Sequence, residues 1–221
     1  MEPMRRPRVK ICCINSVEEA WMAINYGASA VGLVSDMPSG PGVIPEELIA
    51  EIAGVIPPGV SSFLLTSKQD TQSIVAQQKR LKVNTIQICD QFLGDYTDLR
   101  DTLPGILLVQ VIPVRGEDSV KEALSVAPYV DALLLDSGNR TLLVKELGGT
   151  GRVHDWSISK RIREVVDIPV FLAGGLNPEN VREAISQVAP FGVDVCSGVR
   201  TSNKLDENKL SKFFSAVCEI E

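Results

Sequence analysis

The sequence has a single histidine, His154, and few aromatic side chains, 5% of its 221 residues. Strand parity places no serine or cysteine with His154, so a nucleophile–histidine dyad is unsupported and the residue is read as part of a loop. No apolar run approaches the ~20 residues needed to span a bilayer, and Met1 to Lys10 carry basic residues with no apolar stretch behind them. A cytoplasmic protein with no membrane partner is expected. Positive charge is in deficit, with 22 Lys and Arg against 28 Asp and Glu and a net charge of −6. Phosphate neutralisation along a polynucleotide needs clustered cations, so nucleic acid is not expected as a partner. The five cysteines, Cys12, Cys13, Cys89, Cys196 and Cys218, are odd in number and lack CxxC spacing. That pattern argues against a disulfide framework and a zinc site, and free thiols in a reducing compartment are expected.

What the chain does have is regular alternation. Short β-branched or apolar runs at 9–14, 30–34, 61–65, 85–89, 106–112, 131–135, 170–173 and 193–195 alternate with amphipathic stretches at 17–26, 46–55, 71–81, 92–102, 119–126, 157–166, 178–188 and 207–218. Strands alternating with helices make a parallel sheet with crossover helices. Eight such units of about 28 residues suit closure into an α/β fold, a single (β/α)8 TIM barrel that occupies residues 1–221 as one domain. An open Rossmann-like sheet is the alternative, but no GxGxxG follows the first strand. Ser16 with Glu19 is a capping-box pattern at the start of the first helix, and Gly27 stands where that helix should stop. Asn177 before Pro178 reads as an N-cap with proline at the first helical position. Segments 35–45 and 137–155, rich in glycine or proline, follow strands and would project from the mouth of the barrel.

Alternation sorts each strand into an inward and a helix-facing side. With apolar positions facing the helices, Lys10, Cys12, Gln87, Cys89, Gln110, Leu134, Asp136, Asp194 and Cys196 point inward, while Cys13 faces the helices. Lys10 and Asp194 lie on neighbouring strands of a closed barrel and are expected to pair, as a structural ion pair or as catalytic groups. Cys12 is either a small buried hydrophobe or a thiol that the ammonium of Lys10 drives towards thiolate. Asp136 is either a turn cap or an acid. The glycines of Ala173-Gly174-Gly175-Leu176-Asn177-Pro178 and of Ser197-Gly198-Val199 follow strands seven and eight, where this architecture commonly binds phosphate through backbone N–H groups. A phosphorylated small molecule is the expected ligand.

These motifs together resemble a known family. Val9-Lys10-Ile11-Cys12-Cys13-Ile14 is similar to the KICGIT opening of the phosphoribosylanthranilate isomerases, and residues 148–156 resemble their GGTGKTFDW stretch. Residues 174–181 and 194–199 are similar to GGLNPENV and DVSSGV, so the resemblance runs along nearly the whole chain in order. It implies an enzyme of tryptophan biosynthesis that opens the ribose ring of N-(5'-phosphoribosyl)anthranilate and moves a proton to give the ketose, an Amadori rearrangement. It further implies Cys12 as general base, Asp136 as general acid on the ring oxygen, and no cofactor or metal. Substrate contacts are expected from Gly174, Gly175, Ser197, Gly198 and Gln87. Whether the chain is a monomer or a homodimer is left open.

The departures lie at the aromatic end. The glycine after the family's catalytic cysteine is Cys13 here, and the QLHG motif reads Gln87-Ile88-Cys89-Asp90. The arginine that holds the anthranilate carboxylate in the family is Gly42, which offers no side chain, and Arg200 stands where the family commonly has Glu. Arg200 is expected to reach the carboxylate instead, and an arginine restored at position 42 to improve the reaction. The alternatives are an isomerase of another sugar phosphate and a non-catalytic barrel that binds a phosphorylated metabolite.

Overall fold

In the computed structural model, which describes residues 6–219, eight parallel strands close into a barrel in sequence order. They are β1 (Arg8–Ile11), β2 (Ala30–Val34), β3 (Ser61–Thr66), β4 (Thr85–Ile88), β5 (Leu107–Pro113), β6 (Ala132–Asp136), β7 (Val170–Leu172) and β8 (Gly192–Val195). The helices between and after them are α1 (Val17–Asn25), α2 (Glu46–Val55), α3 (Thr71–Leu81), α4 (Tyr96–Thr102), α5 (Glu117–Val126), α6 (Trp156–Val165), α7 (Val181–Val188) and α8 (Glu207–Cys218). The expected (β/α)8 architecture is therefore the observed one. A short antiparallel hairpin, β9 (Arg200–Thr201) with β10 (Lys204–Leu205), was not anticipated and joins β8 to α8.

Local signals explain most helix starts. The Ser16 hydroxyl accepts from the Glu19 amide at 3.2 Å, and Asp70, Asp95, Asp155 and Asp206 cap α3, α4, α6 and α8 through their carboxylates. The Glu19 carboxylate reaches back to the amide of Asn15 rather than to that of Ser16, so the capping box closes one residue early. Two starts differ from expectation by three or more residues. The fourth helix begins at Tyr96 rather than at residue 92, because Asp95 caps it. The seventh begins at Val181, although the Asn177 side chain still accepts from the amides of Glu179 and Asn180 and organises the turn before it.

The barrel has two apolar layers. Between sheet and helices lie Ile11, Leu33, Leu64, Ile86, Leu108, Leu133, Leu172 and Val193 with the inner faces of the helices. Inside the barrel lie Ala30, Phe63, Val109, Val111, Ala132, Leu134 and Phe171. The parity assignment fails on β5, whose two faces are both largely apolar. Val109 and Val111 fill the interior, and Gln110 turns outward, where its carbonyl accepts from the Tyr96 hydroxyl at 2.7 Å and its amide donates to the carbonyls of Ile88, Asp90 and Val111. The pairing of β1 with β8 sets Lys10 opposite Asp194. Among the described residues no helix is long and apolar enough to cross a membrane.

Candidate active site

The C-terminal mouth of the barrel holds a pocket lined by Cys12, Gln87, Cys89, Asp136, Asp194, Gly174, Gly175 and Ser197, together with residues from the loops after β2 and β6. Beneath it the Lys10 ammonium donates to Asp194 Oδ1 at 2.8 Å, with side chains 0% and 9% exposed, and stands 5.3 Å from the centre of the Phe63 ring. The expected pair is thus formed and buried. Burial pulls the Lys10 ammonium down, but the Asp194 charge, the nearby Cys12, the hydrogen bond to Asp194 and Cys89 together outweigh it and leave the group raised.

Cys12 lies one residue beyond β1, with its amide donating to the Val195 carbonyl at 2.8 Å. Burial pushes its thiol up to about 11 against the opposing pull of Lys10. The expectation that Lys10 drives it to thiolate is reversed: desolvation of the anion is the larger effect in this dry floor. Asp136 ends β6. Its Oδ1 accepts from the Ser137 amide at 2.6 Å and the Ser137 hydroxyl at 3.3 Å, whereas Oδ2 accepts no hydrogen bond among the described residues. Burial raises this carboxyl above the ordinary carboxylate range, with the Ser137 amide working against it. A carboxyl whose neutral form burial favours and a thiol facing the same pocket are the parts of an acid–base pair.

A test of the Cys12 environment follows from the thiol's titration. Site-resolved alkylation with iodoacetamide should still be accelerating where a free cysteine, near ~8.5, has levelled off, with a midpoint at about 11. Exposed Cys218 serves as internal reference for reagent. A Cys12 midpoint below that of a free thiol would mean that Lys10 dominates after all.

The glycine loops converge as expected. Gly174 and Gly175 both have left-handed φ, +83° and +65°, and the loop after β7 runs directly against the one after β8: a Cβ added at Gly198 would stand 2.0 Å from the Leu176 carbonyl oxygen. Gly198 itself does not line the pocket; it permits this approach, while Ser197 faces the cavity. Gln87 points in, with its Oε1 buried and without a hydrogen-bond partner, so it is poised for a ligand. His154 lies in the loop before α6, as expected, and sits behind Gly174 with its Nε2 2.7 Å from the Ser159 hydroxyl. Burial pushes the imidazole down to about 4, so it is neutral.

Three expectations fail here. Cys13 is beyond the reach of strand parity, since β1 has already ended. It adopts φ 61°, lines the pocket instead of facing the helices, and forms a disulfide with Cys196 across a Cα–Cα distance of 5.9 Å. The thiols are therefore not all free. Second, Arg200 is not brought to the pocket. It is buried and engaged with Glu19 and with the carbonyls of Cys12 and Cys13, so it is not available to a substrate carboxylate. Third, an arginine cannot be introduced at position 42 without displacing Cys13. Gly42 has φ +81°, and a Cβ there would lie 2.4 Å from Cys13 Cβ. Among the described residues no lysine or arginine lines the pocket, and the side facing loop β2–α2 is apolar, formed by Val34, Met37, Leu65 and Leu147.

Residues 9–216 match the sequence model of the family described as N-(5'phosphoribosyl)anthranilate (PRA) isomerase. A relative from Methanosarcina acetivorans named N-(5'-phosphoribosyl)anthranilate isomerase is 35% identical over 96% of this chain and 93% of its own. The crystal structure of phosphoribosyl anthranilate isomerase from Thermotoga maritima superposes with a TM-score of 0.79 at 31% identity, covering 96% of this chain and 98% of that one. A crystal structure of a phosphoribosyl anthranilate isomerase in complex with reduced 1-(o-carboxyphenylamino)-1-deoxyribulose 5-phosphate gives 0.76 at 30% identity with the same coverage.

Proposed function

The chain belongs to the N-(5'-phosphoribosyl)anthranilate isomerase family and is an isomerase interconverting aldose and ketose, and from that premise we propose that Cys12 and Asp136 carry its chemistry. The observation that supports these roles most directly is that one pocket holds a carboxyl raised by burial and a thiol seated over an ammonium. Asp136 gives its proton to the ribose ring oxygen as the bond from that oxygen to C1 breaks, and the nitrogen lone pair of the substrate forms the C=N bond. Cys12, as thiolate, then takes the proton from C2. The electron pair of that C–H bond moves to C1–C2 and on to nitrogen, giving an enolamine that tautomerises to the ketose. No electrons leave the substrate, and the acid and base are restored by proton exchange.

The backbone amides of Gly174 and Gly175 and the hydroxyl of Ser197 would hold the 5'-phosphate, and Gln87 a sugar hydroxyl. The apolar side formed by Met37, Leu65 and Leu147 suits an aromatic ring. Its carboxylate would then face backbone amides and hydroxyls rather than a guanidinium. The cytoplasmic placement expected from the sequence is kept as part of this proposal.

The test is turnover of N-(5'-phosphoribosyl)anthranilate by the purified chain, with rescue of a tryptophan-requiring strain that lacks this isomerase. Inorganic phosphate should inhibit competitively, and Ser197→Ala should weaken that inhibition about 10-fold, the worth of one hydrogen bond to a charged group. Binding without turnover would leave a metabolite-binding barrel, and turnover of a different phosphosugar alone would leave another isomerase.

A further inference from the structure

We propose that Arg200 is a positioning residue for Cys12, an inference that rests on the assignment of Cys12 as base. The end of β1 leaves two buried carbonyls, those of Cys12 and Cys13, to which no backbone amide donates among the described residues. Buried carbonyls are expensive to leave unpaired. Both are met by one atom: Arg200 Nη2 lies 3.4 Å from the Cys12 oxygen and 2.5 Å from the Cys13 oxygen. The residue so held is also the one in an unfavourable backbone conformation, Cys13 at φ 61°, which sets the direction in which the chain leaves Cys12.

The guanidinium is itself fixed. Nη1 and Nη2 meet the two Glu19 oxygens at 3.1 and 2.8 Å, and Nη1 also donates to the Asn203 carbonyl at 3.0 Å. Glu19 in turn accepts from the amides of Asn15 and Leu205. A planar fork can serve a carboxylate on one side and two carbonyls on the other, which the point charge of lysine cannot reproduce. Arg200 touches no pocket surface, so it acts through the backbone of Cys12 and not on substrate.

Arg200→Met removes the clamp but also strands a buried Glu19, so loss of activity could reflect unfolding alone. Glu19→Met/Arg200→Met removes both charges, and such apolar replacements of buried pairs are often neutral for stability. The expected result is that the double variant melts above Arg200→Met, though short of wild type because the Cys12 and Cys13 carbonyls remain unpaired, while kcat stays down, on the order of 10- to 100-fold, with KM little changed, as for a small misplacement of a reacting group. The rate of Cys12 alkylation at fixed pH should change in both variants relative to Cys218. Recovery of kcat together with the melting temperature in the double variant, or an unaltered Cys12 alkylation rate, would overturn the proposal and leave Arg200 a purely structural residue. Alkylation reads the placement of Cys12 even if wild type fails to turn over the substrate, so the two readings fail separately.

Discussion

Cys12→Ala and Asp136→Asn are each expected to lower turnover by about 10²–10⁴-fold while binding of a product analogue changes little, since each removes a proton transfer made only in the transition state. Asparagine keeps the shape of Asp136 and its contact with the Ser137 amide but has no acidic proton to deliver. Alanine at position 12 removes the sulfur proposed to accept the carbon-bound proton. The titration of the two groups also sets the pH profile of wild type. On the proposed roles turnover needs the thiolate together with the carboxylic acid, and burial raises both groups, the thiol to about 11. That combination holds one proton between the two groups, so its share is constant between their two macroscopic titrations and falls outside them. kcat/KM should therefore be bell-shaped, its acid limb displaced upward from that of an ordinary carboxylate and its alkaline limb upward from that of a free thiol. Steady-state kinetics and equilibrium binding of the two variants check the assignment. Loss of binding in parallel with turnover would mean that the residues hold substrate and do not move protons.

Lys10→Met is expected to cost about 3–5 kcal/mol of stability, because Asp194 remains as a charge buried without its partner. Replacing both residues by apolar ones of similar volume should recover much of that loss, which urea denaturation would show as a return of the midpoint at unchanged slope. The sign of the pH dependence is fixed by the raised ammonium. Its contribution is fully present below the unfolded value of lysine, ~10.4, and is lost only as pH rises through the higher folded value. Acid should not remove this contribution through Lys10. The same substitution takes away the one cation that favours the Cys12 thiolate, so it should depress turnover beyond any loss of folded protein. A cost below about 1 kcal/mol would be that of a solvent-exposed pair and would contradict the buried geometry.

Much of the fold was legible because its determinants are local. Strand runs, the cap at Ser16 and the left-handed Gly27 at the end of α1 each follow from a few adjacent residues. The inward placement of Lys10, Gln87 and Asp194 was legible too, since polar residues stood out against apolar neighbours of known parity. Gln110 was misread where that contrast ran the other way, with valines inside and a tyrosine hydroxyl waiting outside. Cys13 was misread because alternation holds only within a strand, and β1 stops at Ile11. The remaining errors concern partners far apart in the chain. Glu19 lies 181 residues before Arg200, and Cys13 lies 183 before Cys196. Nothing in spacing or composition selects those pairs; closure of the barrel brings them together.

The disulfide gives the molecule a covalent shape that its sheet order does not reveal. The chain from Cys13 to Cys196 is a ring that contains β2 through β8, and two tails leave it, one carrying β1 and the other the hairpin and α8. A protease that cuts once within the segment 137–155 opens the ring without releasing a fragment. The nicked protein would keep its full mass on a denaturing gel until a reductant is added, and only then separate into two pieces. A cut in either tail, by contrast, frees a peptide at once when the protein is unfolded.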